Sequence, residues 1–293
     1  MKKILKTLIA SIIALTCVMS FVACDGSGVS GKAPGLHYKK TNDGVYEITK
    51  YVAEEGVTVL DIDTKLDAEI TNIRIKKGAF SGNDTLTKII VPARVTEIAE
   101  GAFEKMQALE SLVLPFIGRT ANSDAYLQET QTATDKSVNR ARTIAHLFGT
   151  EEYDAGVGVT INYDSSNNVK VYMPRTFISV TVKAGAEYSI PMFAFNGALN
   201  LTSIVLDGNI DAIGVSAFAG CREIRSISLP ASVKTIYENA FNGCVKLDQV
   251  IFATDSVLDT VKDGAFVATK VSRDLLDGKI ANVDKDKIFG EEE

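Results

Sequence analysis

Few side chains in this sequence have the types and spacing that chemistry requires. The two histidines, His37 and His146, are far apart in the chain, and each reads as a lone surface residue rather than a ligand or a base. Asp61-x-Asp63-x-x-x-Asp67-x-Glu69 alternates acids as a calcium loop does. It lacks the glycine and the downstream bidentate glutamate of an EF-hand, so it reads as solvated positions closing a strand. Asp207-Gly208-Asn209-x-Asp211 has the composition of a turn. The sequence favours no Ser-His-Asp arrangement, no glycine-rich phosphate loop after a strand and no acid pair for glycoside cleavage. The expectation is therefore no catalytic residue, no metal and no cofactor.

The net charge of −6 argues against nucleic acid, because phosphate binding needs a basic face. A chain that is 46% hydrophobic and 23% charged is expected to fold. Its first 23 residues stand outside that fold. Lys2, Lys3 and Lys6 precede an apolar run from Leu8 to Ala23, the layout of an export signal. The run is short for a membrane span, which needs about 20 apolar residues. It ends in Phe21-Val22-Ala23-Cys24, which resembles the lipobox of bacterial lipoproteins, although Phe21 stands where an aliphatic residue is usual. The resemblance implies diacylation of Cys24 as the new N-terminus. Residues 24–36 are rich in Gly and Ser and read as a flexible tether. Together these imply an exported protein, lipid-anchored at the cell surface or on the outer face of a bacterial membrane.

The rest of the chain repeats. Ala-Phe pairs end at Phe80, Phe103, Phe195, Phe218, Phe241 and Phe266, and the steps from Phe80 to Phe103, Phe195 to Phe218 and Phe218 to Phe241 are each 23. Six residues after five of these Phe residues stand Leu86, Leu109, Leu201, Ile224 and Leu247. Then come Ile89, Leu112, Ile204, Ile227 and Val250, each followed two residues later by another apolar side chain. Apolar residues two apart belong to a short strand with one face inward. Pro92, Pro115 and Pro230 follow the strand directly and end it, because proline has no amide for the ladder. Asp207 and Ala253 take the same slot in two other units. A unit of this size cannot bury its apolar side alone, whereas stacked units can. The Phe residues then form a core ladder.

The pattern Ile-x-x-x-Ala-Phe-x-Gly-Cys-x-x-Leu-x-x-Ile-x-Leu-Pro-x-x-Val resembles the BspA-type leucine-rich repeat of bacterial surface proteins. The resemblance implies a repeat solenoid of the leucine-rich-repeat type. Short parallel β-strands would alternate with short helical, 3₁₀ or irregular returns, about 23 residues per repeat. The expected layout is an N-terminal capping module over residues 37–72, repeats over 73–115 and 173–266, and a C-terminal cap and tail over 267–293. Between the repeats, residues 116–172 read as one insertion, with polar loop over 121–137 and a short helix from Ser137 to Phe148. Cys221 and Cys244 occupy one position of successive repeats, which suits either a disulfide or a ladder of buried thiols.

Residues between the inward ones of each strand must face out. They are Lys88 and Ile90, Ser111 and Val113, Ser179 and Thr181, Ser203 and Val205, Ser226 and Ser228, Gln249 and Ile251, with Arg225 alongside. Stacked, they form the candidate binding surface, with an apolar column of Ile90, Val113, Val205 and Ile251. The family resemblance implies a non-enzymatic adhesion or interaction protein whose partner is a protein or cell-surface ligand. The alternatives are a structural or assembly subunit of the envelope, or a glycan-binding accessory or hydrolase. Cys24→Ala is expected to abolish acyl labelling and release the protein from membranes. Equal membrane association of both forms, without acyl label in either, would overturn the lipoprotein reading.

Overall fold

Layer upon layer of the same coil makes up the fold, and each layer satisfies the backbone of the one before it. The computed structural model describes residues 34–121, 140–162, 168–281 and 283–291. The export signal, Cys24 and most of the tether lie outside the described residues. The chain winds into a β-solenoid of about eight turns, roughly 24 residues each, with little helix.

Two strands, β1 (Gly35–Lys40) and β2 (Tyr46–Val52), form an antiparallel hairpin that covers the first open layer. The turn between them is closed by the Gly44 N–H donating to the Thr41 carbonyl at 3.0 Å. Gly35 and Leu36 pair with Val52 and Tyr51, so the folded body begins inside the segment expected to be tether. Next come β3 (Val59–Asp61), β4 (Ile73–Ile75), β5 (Lys88–Ile90), β6 (Val95–Ile98) and β7 (Ser111–Leu114). A second antiparallel hairpin, β8 (Gly156–Asn162) and β9 (Asn168–Pro174), follows. The long strands β10 (Ser179–Ile190) and β11 (Ser203–Ile213) come next, then β12 (Ser226–Leu229), β13 (Thr235–Ile236), β14 (Gln249–Phe252) and β15 (Thr260–Val261). Outside the two hairpins every pairing is parallel.

One side of the coil carries β3, β5, β7 and the first halves of β10 and β11, with β12 and β14 beyond. The return side carries β2, β4 and β6 at one end, and the second half of β11 with β13 and β15 at the other. Whether a strand stops at the corner follows from the residue there. Pro92, Pro115 and Pro230 end β5, β7 and β12 within two residues, whereas Lys183 and Asp207 let β10 and β11 run on round the corner. Asp207-Gly208-Asn209 is thus a bend inside one strand rather than a separate turn. Gly208 has φ +98°, and a Cβ there would stand 2.2 Å from the Ala184 carbonyl oxygen.

The third corner holds the Phe ladder. The Phe218 N–H donates to the Ala240 carbonyl and the Phe241 N–H to the Ala265 carbonyl, both at 2.8 Å. The rings follow: Phe195 to Phe218, Phe218 to Phe241 and Phe241 to Phe266 stack with centroids 5.0, 4.9 and 5.4 Å apart. The ladder is longer than the sequence shows. Tyr51 stacks on Phe80 at 6.0 Å, and Phe289 stacks on Phe266 at 5.5 Å. Phe289 ends a short α-helix, Lys285–Phe289, and lies 23 residues after Phe266. The Phe266 N–H donates to the Ile288 carbonyl at 3.0 Å, so the C-terminal segment keeps the period rather than losing it.

The segment expected to be one insertion divides in two around a true layer. Phe116, Ile117, Ile144, Ala145, Leu147 and Phe148 are all buried in the common core. The Phe103 N–H donates to the Leu147 carbonyl at 2.9 Å, as the Phe80 N–H does to Ala102 at 3.0 Å, so Leu147-Phe148 stands in the Ala-Phe position. Phe103 to Phe148 is 45 residues and Phe148 to Phe195 is 47, each close to twice 23. The first doubling lies mostly outside the described residues, and so does the start of the helix expected from Ser137. Ile144–Leu147 is a 3₁₀ turn. The second doubling is the β8–β9 hairpin. Phe177 packs edge-on against Phe148 at 5.1 Å and leads into β10, as the sequence spacing indicates.

Phe148→Ala and Phe218→Ala are each expected to cost ~3–5 kcal/mol in chemical denaturation, the loss for a core Phe. A cost below ~1 kcal/mol for Phe148, the range of surface substitutions, would return it to a loop. Gly208→Ala is expected to destabilise as well, through both its φ and the clash with Ala184.

Candidate functional site

The register of the parallel strands sets the outward residues in two columns. Lys88 pairs with Ser111, Ser111 with Ser179, and Ser179 with Ser203. In the second column Ile90 pairs with Val113, Val113 with Thr181, and Thr181 with Val205. Ser226 opposite Gln249 and Ser228 opposite Ile251 continue the columns in β12 and β14. The structure thus places all of these expected residues on one face, and Arg225 is exposed just before Ser226. Two more positions were not anticipated. Val59 and Asp61 pair with Lys88 and Ile90 and extend the face toward the N-terminal cap.

Exposure is lowest in the middle of the face and higher toward its ends. Residues from Lys88 to Thr181 are half-buried, whereas Val205 and Ile251 are 47% and 51% exposed. Val59 (51%) and Ile178 (42%) add apolar surface at one end and at the edge. One column holds the β-branched apolar residues Ile90, Val113, Val205 and Ile251 together with Asp61, Thr181 and Ser228, and the other is mostly hydroxyl. Such a face offers hydrogen bonds and burial, with Lys88, Asp61 and Arg225 as its charges. It suits contact with another surface better than proton transfer.

The groups that looked chemical in the sequence have structural partners. The Asp61 carboxylate accepts from the Asp63 N–H at 3.0 Å and caps the 3₁₀ turn Ile62–Lys65. Asp63 accepts from Arg94 Nε at 2.6 Å, and the same guanidinium reaches the carbonyls of Asp67 and Ile70. On the return side Glu97 bridges Arg74 and Arg119, each at 2.8 Å, which ties three layers by charge. Asp211 accepts from the Ser189 hydroxyl across β10 and β11.

Cys221 and Cys244 are free thiols, both buried. The Cys221 thiol donates to the Phe195 carbonyl at 3.3 Å and the Cys244 thiol to Phe218 at 3.1 Å, so each closes the layer before it. Burial pushes both thiols up, Cys244 to about 12 and Cys221 well above its usual value. Neither is a thiolate near neutral pH, and neither has the low pKa of a reactive cysteine.

His146 corrects the expectation of a surface residue. It lies in the 3₁₀ turn Ile144–Leu147, only 5% exposed, with Nε2 3.1 Å from the Ile98 carbonyl oxygen. Desolvation lowers its pKa to about 4, opposed by that hydrogen bond and by Glu100. Glu100 is itself paired with Arg140. His37, on β1, lies opposite Lys50.

Comparison with known proteins places these observations among relatives. A scan of protein families matched "BspA type Leucine rich repeat region" in six copies, over residues 63–144 and 172–289. Comparison with curated proteins gave no match. Among solved structures, the chain is similar to a leucine-rich repeat protein from Bacteroides ovatus, at 21% identity over 85% of this chain and TM-score 0.38. It spans 58% of that protein. A leucine-rich repeat protein from T. pallidum is similar at 15% identity, covering 82% of this chain and 91% of its own, with TM-score 0.36. A leucine-rich cell surface protein from Faecalibacterium prausnitzii is similar at 18% identity, covering 76% and 40%, with TM-score 0.30.

His146 gives a pH signature. Its folded pKa lies below the unfolded value, so its contribution is full above pH 6.5 and is lost as pH falls through about 4. The wild type is expected to lose roughly 3 kcal/mol more than His146→Gln over that window. Parallel stability curves for the two proteins would contradict the buried neutral histidine. Cys221 and Cys244 are expected to resist a thiol reagent at neutral pH until the protein is denatured.

Proposed function

Because the chain belongs to the BspA-type leucine-rich repeat family, we propose that it is a non-enzymatic binding protein that meets its partner through the strand face. The carrying observation is the exposed end of that face. Val205 and Ile251, each about half exposed, flank Ser228 and stand beside Ser203, Ser226 and Gln249. Exposed apolar residues on one side of stacked layers, rimmed by hydroxyls, have the composition of a protein contact. The described residues of the β8–β9 hairpin make their contacts at the Phe corner. Tyr172 N–H donates to Gly149, and Val159 and Ile161 lie against Gly197. The lysines before the apolar run, Cys24 and the Gly/Ser tether support display at the cell surface on a lipid anchor.

The soluble body, residues 36–293, titrated against extracellular-matrix proteins and a glycan panel, is expected to bind at least one protein. Val205→Asp and Ile251→Asp are expected to weaken that binding about tenfold each, with stability unchanged. Uniform absence of binding, with co-purification of an envelope component, would sink this reading in favour of an assembly subunit. Turnover in a hydrolase screen would overturn the non-enzymatic one.

A further inference from the structure

The β8–β9 hairpin holds a strand edge that nothing in the repeat scaffold requires. In an antiparallel pair, opposed residues alternate between those that bond across the ladder and those whose N–H and C=O point away from it. The Tyr172 N–H is engaged by the Gly149 carbonyl at 2.9 Å, on the far side of β9. Tyr172 and its partner Gly158 are therefore of the second kind, and so are Thr160 and Lys170 two residues further on. Pro174 opposite Gly156 fits the same phase, since it has no N–H to give. The backbone groups of Gly158 and Thr160 point out from the hairpin. Among the described residues β8 pairs with β9 alone, and no turn or loop backbone group bonds to Gly158 or Thr160.

They point into a groove of about 650 Å³ over the Phe corner of three layers. Its floor is small: Gly197, Gly220 and Gly243 recur at intervals of 23. Gly197 fixes the hairpin above it, for a Cβ there would stand 2.6 Å from Ile161 Cδ1, and its φ is +76°. The far wall comes from one repeat position, four residues after each Phe: Leu199, Arg222 and Val245. Leu199 and Val245 are 38% and 45% exposed. Arg222 is exposed between them, and among the described residues no carboxylate pairs with it. Its neighbour Glu223 is engaged by Lys246 at 2.7 Å.

Exposed strand edges are ordinarily blunted by charge, proline or a bulge. The sequence of β8, Gly-Val-Gly-Val-Thr-Ile-Asn, carries neither charge nor proline, and its register with β9 is unbroken. We propose that this groove binds an extended segment of a partner protein by strand addition to β8. The segment's backbone bonds to Gly158 and Thr160, its apolar side chains rest on Leu199 and Val245, and a carboxylate pairs with Arg222. Charge selects this occupant over a second copy of the chain, because two such grooves brought edge to edge would bring the uncompensated Arg222 of one copy toward that of the other. The site is separate from the strand face, so the Val205 and Ile251 variants leave it intact.

The test uses the full chain in mild detergent and three short peptides of alternating Thr and Val. One has a central Asp, one a central Lys, and one is the Asp peptide N-methylated on alternate amides. The Asp peptide is expected to bind about tenfold tighter than the Lys peptide, and methylation on the bonding edge is expected to abolish binding. Arg222→Glu, a surface change, is expected to reverse the charge preference. Thr160→Pro takes an outward N–H from the bonding edge without touching a bond to β9, and is expected to weaken binding about tenfold or more while the melting temperature holds. Equal binding of all three peptides, or no binding of any, overturns the proposal. So does a dimer in sedimentation that Thr160→Pro dissolves, which would assign the edge to a second copy.

Discussion

Everything in this protein depends on stacking. A single coil of about 23 residues has an inside too thin to exclude water, and the backbone groups that point along the axis meet nothing. Only the next coil can cover those rings and accept those amides. The chain therefore repeats whatever serves stacking at fixed intervals, namely the Phe ring, the small residue before it and the strand apolars. The parallel registers of β5, β7, β10 and β11 follow from this repetition rather than from any one pair of side chains. Both ends meet the same demand by different means. A hairpin with Tyr51 covers the first layer, and a short helix with Phe289 covers the last.

Stacking constrains the positions that touch the next layer and leaves the loops between them free. The two doublings around Phe148 show how much freedom that is, since each adds nearly a full period while Phe103, Phe148 and Phe195 remain in the core. The hairpin added by the second doubling has its own unsatisfied edge. The strand face, by contrast, is made from the repeat itself. The protein thus has one surface generated by periodicity and one generated by its interruption, on different sides of the coil.

What the sequence revealed follows the same division. Phe218 and Phe241 were legible because Ala, Gly and Cys recur around them in register. Phe148 was hidden because Leu147 replaces the Ala and the distances on both sides are doubled. Phe289 was hidden because its layer closes with a helix instead of a strand. The outward columns were legible because alternation in a strand needs no tertiary information. The long strands β10 and β11 were legible in principle, since Lys183 and Asp207 lack the proline that ends β5, β7 and β12. His146 was misread because it was judged by residue type as a lone histidine, although Ile144, Ala145, Leu147 and Phe148 around it are apolar and the Ile98 carbonyl of the previous layer meets its ring. The open edge of β8 depends on which pairs bond across the hairpin, and composition carries no record of that phase.

The uninterrupted passage of β10 and β11 round the corner has a mechanical meaning. Most layers are joined by strands of two to four residues, such as Thr235–Ile236 against Thr260–Val261, so a pull along the axis separates them a few hydrogen bonds at a time. Between β10 and β11 nine positions are paired across two sides at once, and both sides must yield together. Under load, the coil would fray from its ends and hold at its middle. The β8–β9 hairpin enters the coil just before this middle, so the layers that resist longest are those that follow the largest described interruption of the repeat.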